Sequence, residues 1–197
     1  MRIHTVDCKN VKCYLVKSAD GYLMFDAGWP HQYTRWKDSV KSLGIRVKEI
    51  THIIVSHFHI DHAGLAGLLV SNGKEFTVFE NQVKHIEEME TFIAKKGYPY
   101  RPIDRRIIKT CTIAASRDWL SSIGIEGEVV QTFGHGEQGI ALLLDSGEVL
   151  IGDLPTEYAY DETVKADWDN LKAKGAKYIY PAHAEFREIE WIMGRGM

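Results

Sequence analysis

The sequence is poor in cysteine, in long apolar runs and in net charge, and each shortage excludes a class of protein. Its 197 residues include three cysteines, Cys8, Cys13 and Cys111, with no CxxC spacing. Free, mostly buried thiols in a reducing cytosol therefore fit the sequence better than a disulfide framework. No apolar stretch approaches the roughly 20 residues that cross a bilayer, and the N-terminus lacks the apolar segment of a signal peptide.

The net charge and the lack of an apolar N-terminal segment limit the classes of partner that we expect. A formal net charge of −3 offers no general attraction to the phosphates of nucleic acid. We therefore predict a cytoplasmic protein that acts on a small-molecule substrate, with neither nucleic acid nor membrane as a partner. The sequence leaves a homodimer open as an oligomeric state.

No repeat, low-complexity tract or linker divides the chain, so we expect a single domain over residues 1–197. Hydrophobic residues make up 45% and charged residues 26%, as in ordinary globular proteins. Strand-like and helix-like segments are mixed in both halves, which predicts a layered α/β domain. The predicted strands are 11–16, 22–25, 50–56, 76–79, 109–113, 128–133, 140–144, 149–151 and 178–180. The predicted helices are 31–43, 61–70, 81–96, 116–123 and 161–174.

The most informative segment is the run His57-Phe58-His59-Ile60-Asp61-His62, which follows the apolar residues 53–55. Imidazole and carboxylate groups are the ligands of zinc-type metal sites. On an extended segment His57 and His59 would reach the same point, because alternate residues share a side. If a helix begins at Asp61, then Asp61 and His62 turn toward a second point. The spacing therefore predicts two adjacent metals.

Three further ligand-type residues follow predicted strands later in the chain. His135, Asp153 and His183 each stand where a strand passes into a loop, and each has glycine, alanine or proline beside it. One such residue alone would indicate little. Several of them in this order predict a site at one edge of a sheet.

Together these motifs resemble those of the metallo-β-lactamase superfamily of hydrolases over residues 26 to 183. Asp26 matches the first motif, residues 57–62 match the HxHxDH motif, and His135, Asp153 and His183 match the third, fourth and fifth. The resemblance implies an α/β fold of the α+β kind, a four-layer αββα sandwich with its metal site at one edge of the two sheets. It further implies that His57, His59 and His135 hold one zinc and that Asp61, His62 and His183 hold the other. Asp153 would bridge both, and Asp26 would support the ligands without touching metal.

The sequence also departs from the family pattern. The third motif reads His135-Gly136-Glu137-Gln138-Gly139, whereas His-Thr-x-Gly-Ser is common, so a hydroxyl partner of His135 is missing. The chain ends shortly after His183, without the added domains of glyoxalase II or of the nucleic-acid-processing branches. A compact hydrolase of a small substrate is what this pattern favours.

We expect zinc-dependent hydrolysis of an ester, lactone or thioester by a hydroxide that bridges two zinc ions. Asp61 would orient that hydroxide and carry a proton to the leaving group. Iron and manganese remain alternatives to zinc. A mononuclear iron oxidoreductase of the persulfide dioxygenase type and a phosphodiesterase on the same fold remain alternatives to the hydrolase.

Weaker signals concern the substrate. Tyr158 and Tyr160 are candidate substrate contacts, although Tyr at such positions is more often a core or rim residue. The loops at 29–30, 98–106 and 158–160 are expected to wall the pocket. Their arginines, Arg101, Arg105 and Arg106, favour a substrate with an anionic group.

Residues 134–139 match the dinucleotide-binding pattern GxGxxG. A helix should begin there, but residues 140–144 read as a strand, so we reject that interpretation.

Overall fold

The computed structural model describes residues 3–156 and 161–189. The strands are Ile3–Asp7 (β1), Lys12–Lys17 (β2), Tyr22–Phe25 (β3), Ile50–Ile54 (β4), Glu75–Phe79 (β5), Lys109–Cys111 (β6), Gly127–Thr132 (β7), Gly139–Leu144 (β8), Glu148–Ile151 (β9), Tyr178–Pro181 (β10) and Arg187–Glu188 (β11). The helices are Tyr33–Ser42 (α1), Ile60–Ala63 (α2), Ala66–Ser71 (α3), His85–Lys96 (α4), Ser116–Ser122 (α5) and Glu162–Ala173 (α6), and a 3₁₀ turn spans Val47–Glu49.

The strands of the described residues form two sheets. One has the order β1-β2-β3-β4-β5-β6 and the other the order β11-β10-β9-β8-β7. In the first sheet β3, β4, β5 and β6 are parallel neighbours. In the second sheet β9 and β10 are parallel, while β8 is antiparallel to both β7 and β9. Strands β7, β9 and β10 therefore run in the same direction.

Alternating apolar side chains bind these sheets into four layers, because successive residues of a strand face opposite sides. On β2, Tyr14 and Val16 face the other sheet, whereas Cys13 and Leu15 face the layer of α1, α3 and α4. On β8, Leu142 faces the first sheet and Leu143 packs toward Trp168 of α6. The order of layers is helix, sheet, sheet, helix, which confirms the predicted αββα sandwich.

The structure corrects some of the predicted elements. Strands β1 and β11 were not predicted, and the helix predicted over 61–70 is divided into α2 and α3. The division falls at Gly64, where a Cβ atom would lie 2.4 Å from the ring of Pro30. The thiols are free as predicted, with Cys8 and Cys13 buried and Cys111 partly exposed. Within the described ranges, no helix is both long and apolar enough to cross a membrane.

Candidate metal centre

The ends of parallel strands bring the predicted ligands to one edge of the sandwich. Residues 57–62 follow β4, His135 follows β7, Asp153 follows β9 and His183 follows β10. The carboxyl ends of parallel strands lie at the same edge of a sheet, where ligand sites commonly form. All seven predicted ligands meet there in two clusters. His57, His59, His135 and Asp153 form cluster 1, and Asp61, His62 and His183 form cluster 2. Within each cluster the candidate ligand atoms lie within 4.8 Å of one another.

Asp153 lies between the two clusters and offers one carboxylate oxygen to each. Its Oδ1 is 3.1 Å from Nε2 of His62 and 3.2 Å from Nε2 of His183. Its Oδ2 is 3.4 Å from Nε2 of His135 and 3.7 Å from Nε2 of His57. This arrangement is suited to a carboxylate that bridges two cations.

Asp26 orients His62 through the ring nitrogen Nδ1, while Nε2 of the same ring faces Asp153. Its Oδ2 accepts a hydrogen bond from Nδ1 of His62 at 2.8 Å, and its Oδ1 accepts one from the backbone N–H of Ser56 at 2.6 Å. Asp26 is fully buried and has a φ of 66°, a left-handed conformation that is unusual outside glycine. This bond to Nδ1 orients the ring so that Nε2 faces Asp153, the arrangement found in metal-binding histidines.

Ser56 extends this support to His57. Its hydroxyl lies 3.0 Å from Nδ1 of His57 and donates to Oδ2 of Asp26, also at 3.0 Å. Asp26 therefore orients His57 through Ser56 as well as His62 directly. Gly152 makes this possible, because a Cβ atom there would lie 2.2 Å from Oγ of Ser56.

His183 is held by the backbone of a distant turn. Its Nδ1 donates to the carbonyl oxygen of Asn10 at 2.5 Å, in the turn between β1 and β2. The side chain of Asn10 in turn accepts a hydrogen bond from Nε1 of Trp29 at 2.9 Å. Nε2 of His183 therefore faces the centre, 3.2 Å from Oδ2 of Asp61.

These contacts place electron-rich atoms face to face, which is the condition for binding a cation. Because Nδ1 of each ring is bonded elsewhere, Nε2 of His62 and Nε2 of His183 both face the centre, 3.3 Å apart. A cation bound there would replace the protons that these two nitrogens share with Asp153 and Asp61. Within the described residues, Nε2 of His57 is buried and makes no hydrogen bond. Imidazole nitrogens with carboxylate oxygens are the ligand set of zinc and of related divalent metals. The donor set therefore fits one divalent cation in each cluster.

The electrostatics of the two clusters differ. Burial, together with the neighbouring His62 and His59, lowers the pKa of His57 well below its ordinary value. Hydrogen bonds to Asp153 and Asp61 raise the pKa of His183 to about 10. Burial opposes ionisation of Asp61, but the hydrogen bond from His183 outweighs it and lowers the pKa of that carboxyl. Asp61 is therefore ionised near neutral pH.

Comparison with known proteins identifies the family. The sequence matches the family model of the metallo-beta-lactamase superfamily over residues 6–183. The chain belongs to the metallo-β-lactamase superfamily. The N-acyl homoserine lactonase AttM of Rhizobium johnstonii is 24% identical to it over 184 residues. That alignment covers 77% of this chain and 66% of the lactonase, slightly less than two thirds of the relative's own length.

Solved structures show the same fold at low sequence identity. A metallo-beta-lactamase family protein of Thermus thermophilus, TTHA1429, has a TM-score of 0.74 at 18% identity, covering 96% of this chain and 76% of that one. TTHA1623, crystallised in a di-iron-bound form, also has a TM-score of 0.74, at 16% identity, covering 99% of this chain and 98% of its own. The FEZ-1 metallo-beta-lactamase of Legionella gormanii has a TM-score of 0.66 at 18% identity, covering 92% and 76%.

The unusual third motif of this superfamily member is held in place by amide side chains. Oε1 of Gln138 accepts the backbone N–H of Phe58 at 2.7 Å. Nε2 of the fully buried Gln82 lies 2.9 Å from the carbonyl of Val55 and 3.2 Å from that of Gln138. These two glutamines tie the loop of His57 to the loop of His135, where the expected hydroxyl residue is missing.

Sequence reasoning missed several of these supporting residues. Ser56 could have been noticed, since it directly precedes the histidine motif. Asn10 acts through its backbone carbonyl, which carries no sequence signal, and Gln82 has no neighbouring motif. Rejection of the dinucleotide pattern is confirmed, because residues Gly139–Leu144 form strand β8. Tyr158 and Tyr160 lie outside the described residues.

Two of the arginines that were expected to attract an anionic substrate are paired with acidic side chains of the protein. Arg105 lies 3.5 Å from Glu90, and Arg106 makes a 2.7 Å ion pair with Asp104. These two arginines therefore have acidic partners of their own.

Proposed function

We propose that this protein is a metal-dependent hydrolase that cleaves a small ester, lactone or thioester with two divalent cations, most simply zinc. The observation that carries the proposal is Asp153, whose two oxygens face two separate sets of ligands. Hydrolysis is the common activity of this superfamily. The sequence similarity to a lactonase supports a lactone among the candidate substrates.

Cations held here would lower the pKa of a shared water toward neutrality and would polarise the bond to be cleaved. The chain's own residues supply orientation and charge. Asp26 and Ser56 fix His57 and His62 so that their Nε2 atoms face the centre. Asp61 is ionised and only partly buried, so it can accept a hydrogen bond from an attacking water and fix its direction. Its lowered pKa makes it better suited to orienting water than to storing a proton.

The first experiment measures metal content. Protein expressed with added zinc should approach two metal equivalents per chain by elemental analysis, and His135→Ala and His183→Ala should each lower that content by about one. His31→Ala is the control, because His31 belongs to neither cluster. A wild-type content that saturates at one equivalent would contradict the two-metal proposal.

The second experiment separates the reaction classes. The zinc-loaded protein is offered esters, lactones, thioesters and phosphodiesters, and hydrolysis of members of the first three groups is expected. One iron per chain with oxygen consumption on a persulfide would instead support the dioxygenase, and phosphodiester cleavage alone would support the phosphodiesterase. A cytoplasmic location is part of the same proposal, and the free thiols support it.

A further inference from the structure

A cavity of about 420 Å³ opens beside the metal centre, between the histidine motif and helix α4. His59 and Asp61 line the end that adjoins the two clusters, and Glu88, Met89 and Phe92 of α4 line the opposite wall. This volume lies within the range of small-molecule pockets, roughly 300–1,000 Å³. Any molecule that reacts at the centre can place part of itself in this cavity.

Half of the residues that line the cavity are apolar. Phe58 and Ile60 come from the histidine motif, and Met89 and Phe92, three residues apart, share one face of α4. Phe92 is 47% exposed, which is high for a large aromatic residue at the mouth of a cavity. Apolar surface left open beside reactive groups is typical of a ligand-binding groove.

The charged residues that line the cavity are acidic. Asp61 stands at the inner end, and Glu88 stands on the α4 wall, where Nδ1 of His85 holds its Oε2 at 2.6 Å. Nε2 of His85 also lies 3.5 Å from Glu137. No lysine or arginine is among the lining residues in the described part of the chain. Away from the metal centre, an anionic group on the α4 wall would therefore lie beside Glu88, and the nearest cation recorded at this wall is Lys96, whose Nζ lies 5.7 Å from the centroid of the Phe92 ring.

We propose that this cavity binds the neutral, apolar acyl arm of the substrate, and that Met89 and Phe92 set its preferred length. The substrate class is then an ester or lactone with an uncharged aliphatic acyl chain, which rests on the proposed hydrolase function. Glu88 excludes acyl chains that end in a carboxylate. This revises the anionic group that the arginine-rich loop suggested.

The test is a series of straight-chain esters of increasing acyl length, assayed with the zinc-loaded protein. Each added methylene should raise kcat/KM about two- to fourfold until the cavity is filled. Phe92→Ala should lower kcat/KM about five- to tenfold for long chains and leave the shortest chain unchanged. Phe92→Leu should keep most of the length dependence, and Ile107→Ala, an exposed apolar residue outside the cavity, should keep all of it.

Charge selection is tested separately at position 88. Glu88→Gln should raise kcat/KM about fivefold at low ionic strength for chains that end in a carboxylate, with little change for neutral chains. Glu87→Gln is the matched control, since Glu87 lies on the same helix but does not line the cavity. A wild-type preference for carboxylate-ended or amine-ended chains over neutral chains of equal length would overturn the proposal.

A binding experiment with amides tests the role of the cavity independently of whether the protein hydrolyses esters. Primary amides of the same acyl series, which resist hydrolysis, are titrated into the zinc-loaded protein by calorimetry. Length-dependent binding that is lost in Phe92→Ala supports the cavity even if none of the esters is cleaved. Ester cleavage without length dependence, or with equal dependence in Phe92→Ala, would overturn the cavity assignment and leave the hydrolase intact.

Discussion

The two ligand clusters differ in how firmly the protein holds them. In cluster 2 each histidine has an acceptor for its Nδ1 proton, the Asp26 carboxylate for His62 and the Asn10 carbonyl for His183. In cluster 1 only His57 has a comparable support, through the hydroxyl of Ser56. His59 and His135 are exposed at the surface, and Nδ1 of His59 lies 3.3 Å from Nε2 of His135.

The electrostatic contrast follows the same division. In cluster 1 burial and neighbouring imidazoles lower the pKa values of His57 and His59. In cluster 2 burial would lower the pKa of His62, but the carboxylates of Asp26 and Asp153 raise it to about 10. Cluster 2 is therefore preorganised around negative charge. In cluster 1 the lowered pKa values favour the neutral imidazoles of His57 and His59, and His57 is the one whose Nδ1 contacts Ser56.

The largest effect is expected from Asp61→Asn, which removes the partly buried charge of cluster 2 and keeps the side-chain shape. Hydrolysis should fall by about 10²–10⁴ in kcat/KM, since an orienting carboxylate is lost. The melting temperature should change little. The control is Asp118→Asn, because Asp118 also stands in the first turn of a helix but lies far from the motif in sequence. Full activity in Asp61→Asn would show that this carboxylate has another role.

Asp26→Asn should weaken cluster 2 more than cluster 1, because Asp26 bonds His62 directly and reaches His57 only through Ser56. Asparagine tolerates the left-handed backbone at this position, but its amide would donate toward Nδ1 of His62 and push the imidazole proton onto Nε2. We expect the affinity for one of the two cations to fall about 10- to 100-fold and the affinity for the other to fall much less. Competition with a chelating indicator measures both affinities. Asp145→Asn, in a surface ion pair with Arg117, serves as control. Equal weakening of both cations would contradict the selective role.

Ser56→Ala probes the weaker support in cluster 1. Removal of the hydroxyl leaves Nδ1 of His57 without its partner, whereas His62 keeps its direct bond to Asp26. The loss of affinity should be about tenfold at most and should chiefly affect the cation that Asp26→Asn weakens less. Ser71→Ala, at an exposed helix end, is the control. If both substitutions chiefly weaken the same cation, the division into two separately supported clusters is wrong.

The smallest effect concerns Asp167, which fixes the loop that leads to His135. Its Oδ2 accepts the backbone N–H groups of Phe133 and Gly134, each at 2.7 Å. Burial raises the pKa of this carboxyl above its ordinary value. Folding therefore disfavours the ionised carboxylate of Asp167. As the pH rises through this pKa, the contribution of Asp167 to the free energy of unfolding declines.

Asp167→Asn keeps a carbonyl oxygen for both N–H groups and removes that charge. The melting temperature of the variant minus that of the wild type should increase from about pH 4, near the ordinary pKa of a carboxyl group, to about pH 7. Asp169→Asn, an exposed residue two positions along α6, should show no such trend. A difference in melting temperature that is independent of pH would contradict the assigned cause.

The ligands themselves were predictable because their chemistry is concentrated in a short motif and at strand ends. Residues 57–62 stand directly after a strand, and the mixture of strand-like and helix-like segments indicated a layered α/β domain. The order of the four layers came from the family resemblance. Gly64, by contrast, divides a predicted helix through its packing against Pro30, a contact that exists only in the tertiary structure.

The supports of the site were harder to predict. The Asn10 carbonyl meets His183 across 173 positions of sequence, and any residue type would provide that oxygen. Gln82 is a polar side chain that is fully buried because it bonds backbone carbonyls of two other loops. Such roles depend on which loops meet, and local sequence patterns do not report that.

Asp153 also has a thermodynamic consequence. Because the same carboxylate faces both clusters, cations bound in them would not bind independently. The first cation neutralises part of the negative charge that attracts the second, so charge alone makes the second association weaker. By reciprocity, a cation in cluster 1 lowers the affinity of cluster 2 by the same factor by which a cation in cluster 2 lowers the affinity of cluster 1. The two halves of the centre should therefore be treated as one coupled binding unit.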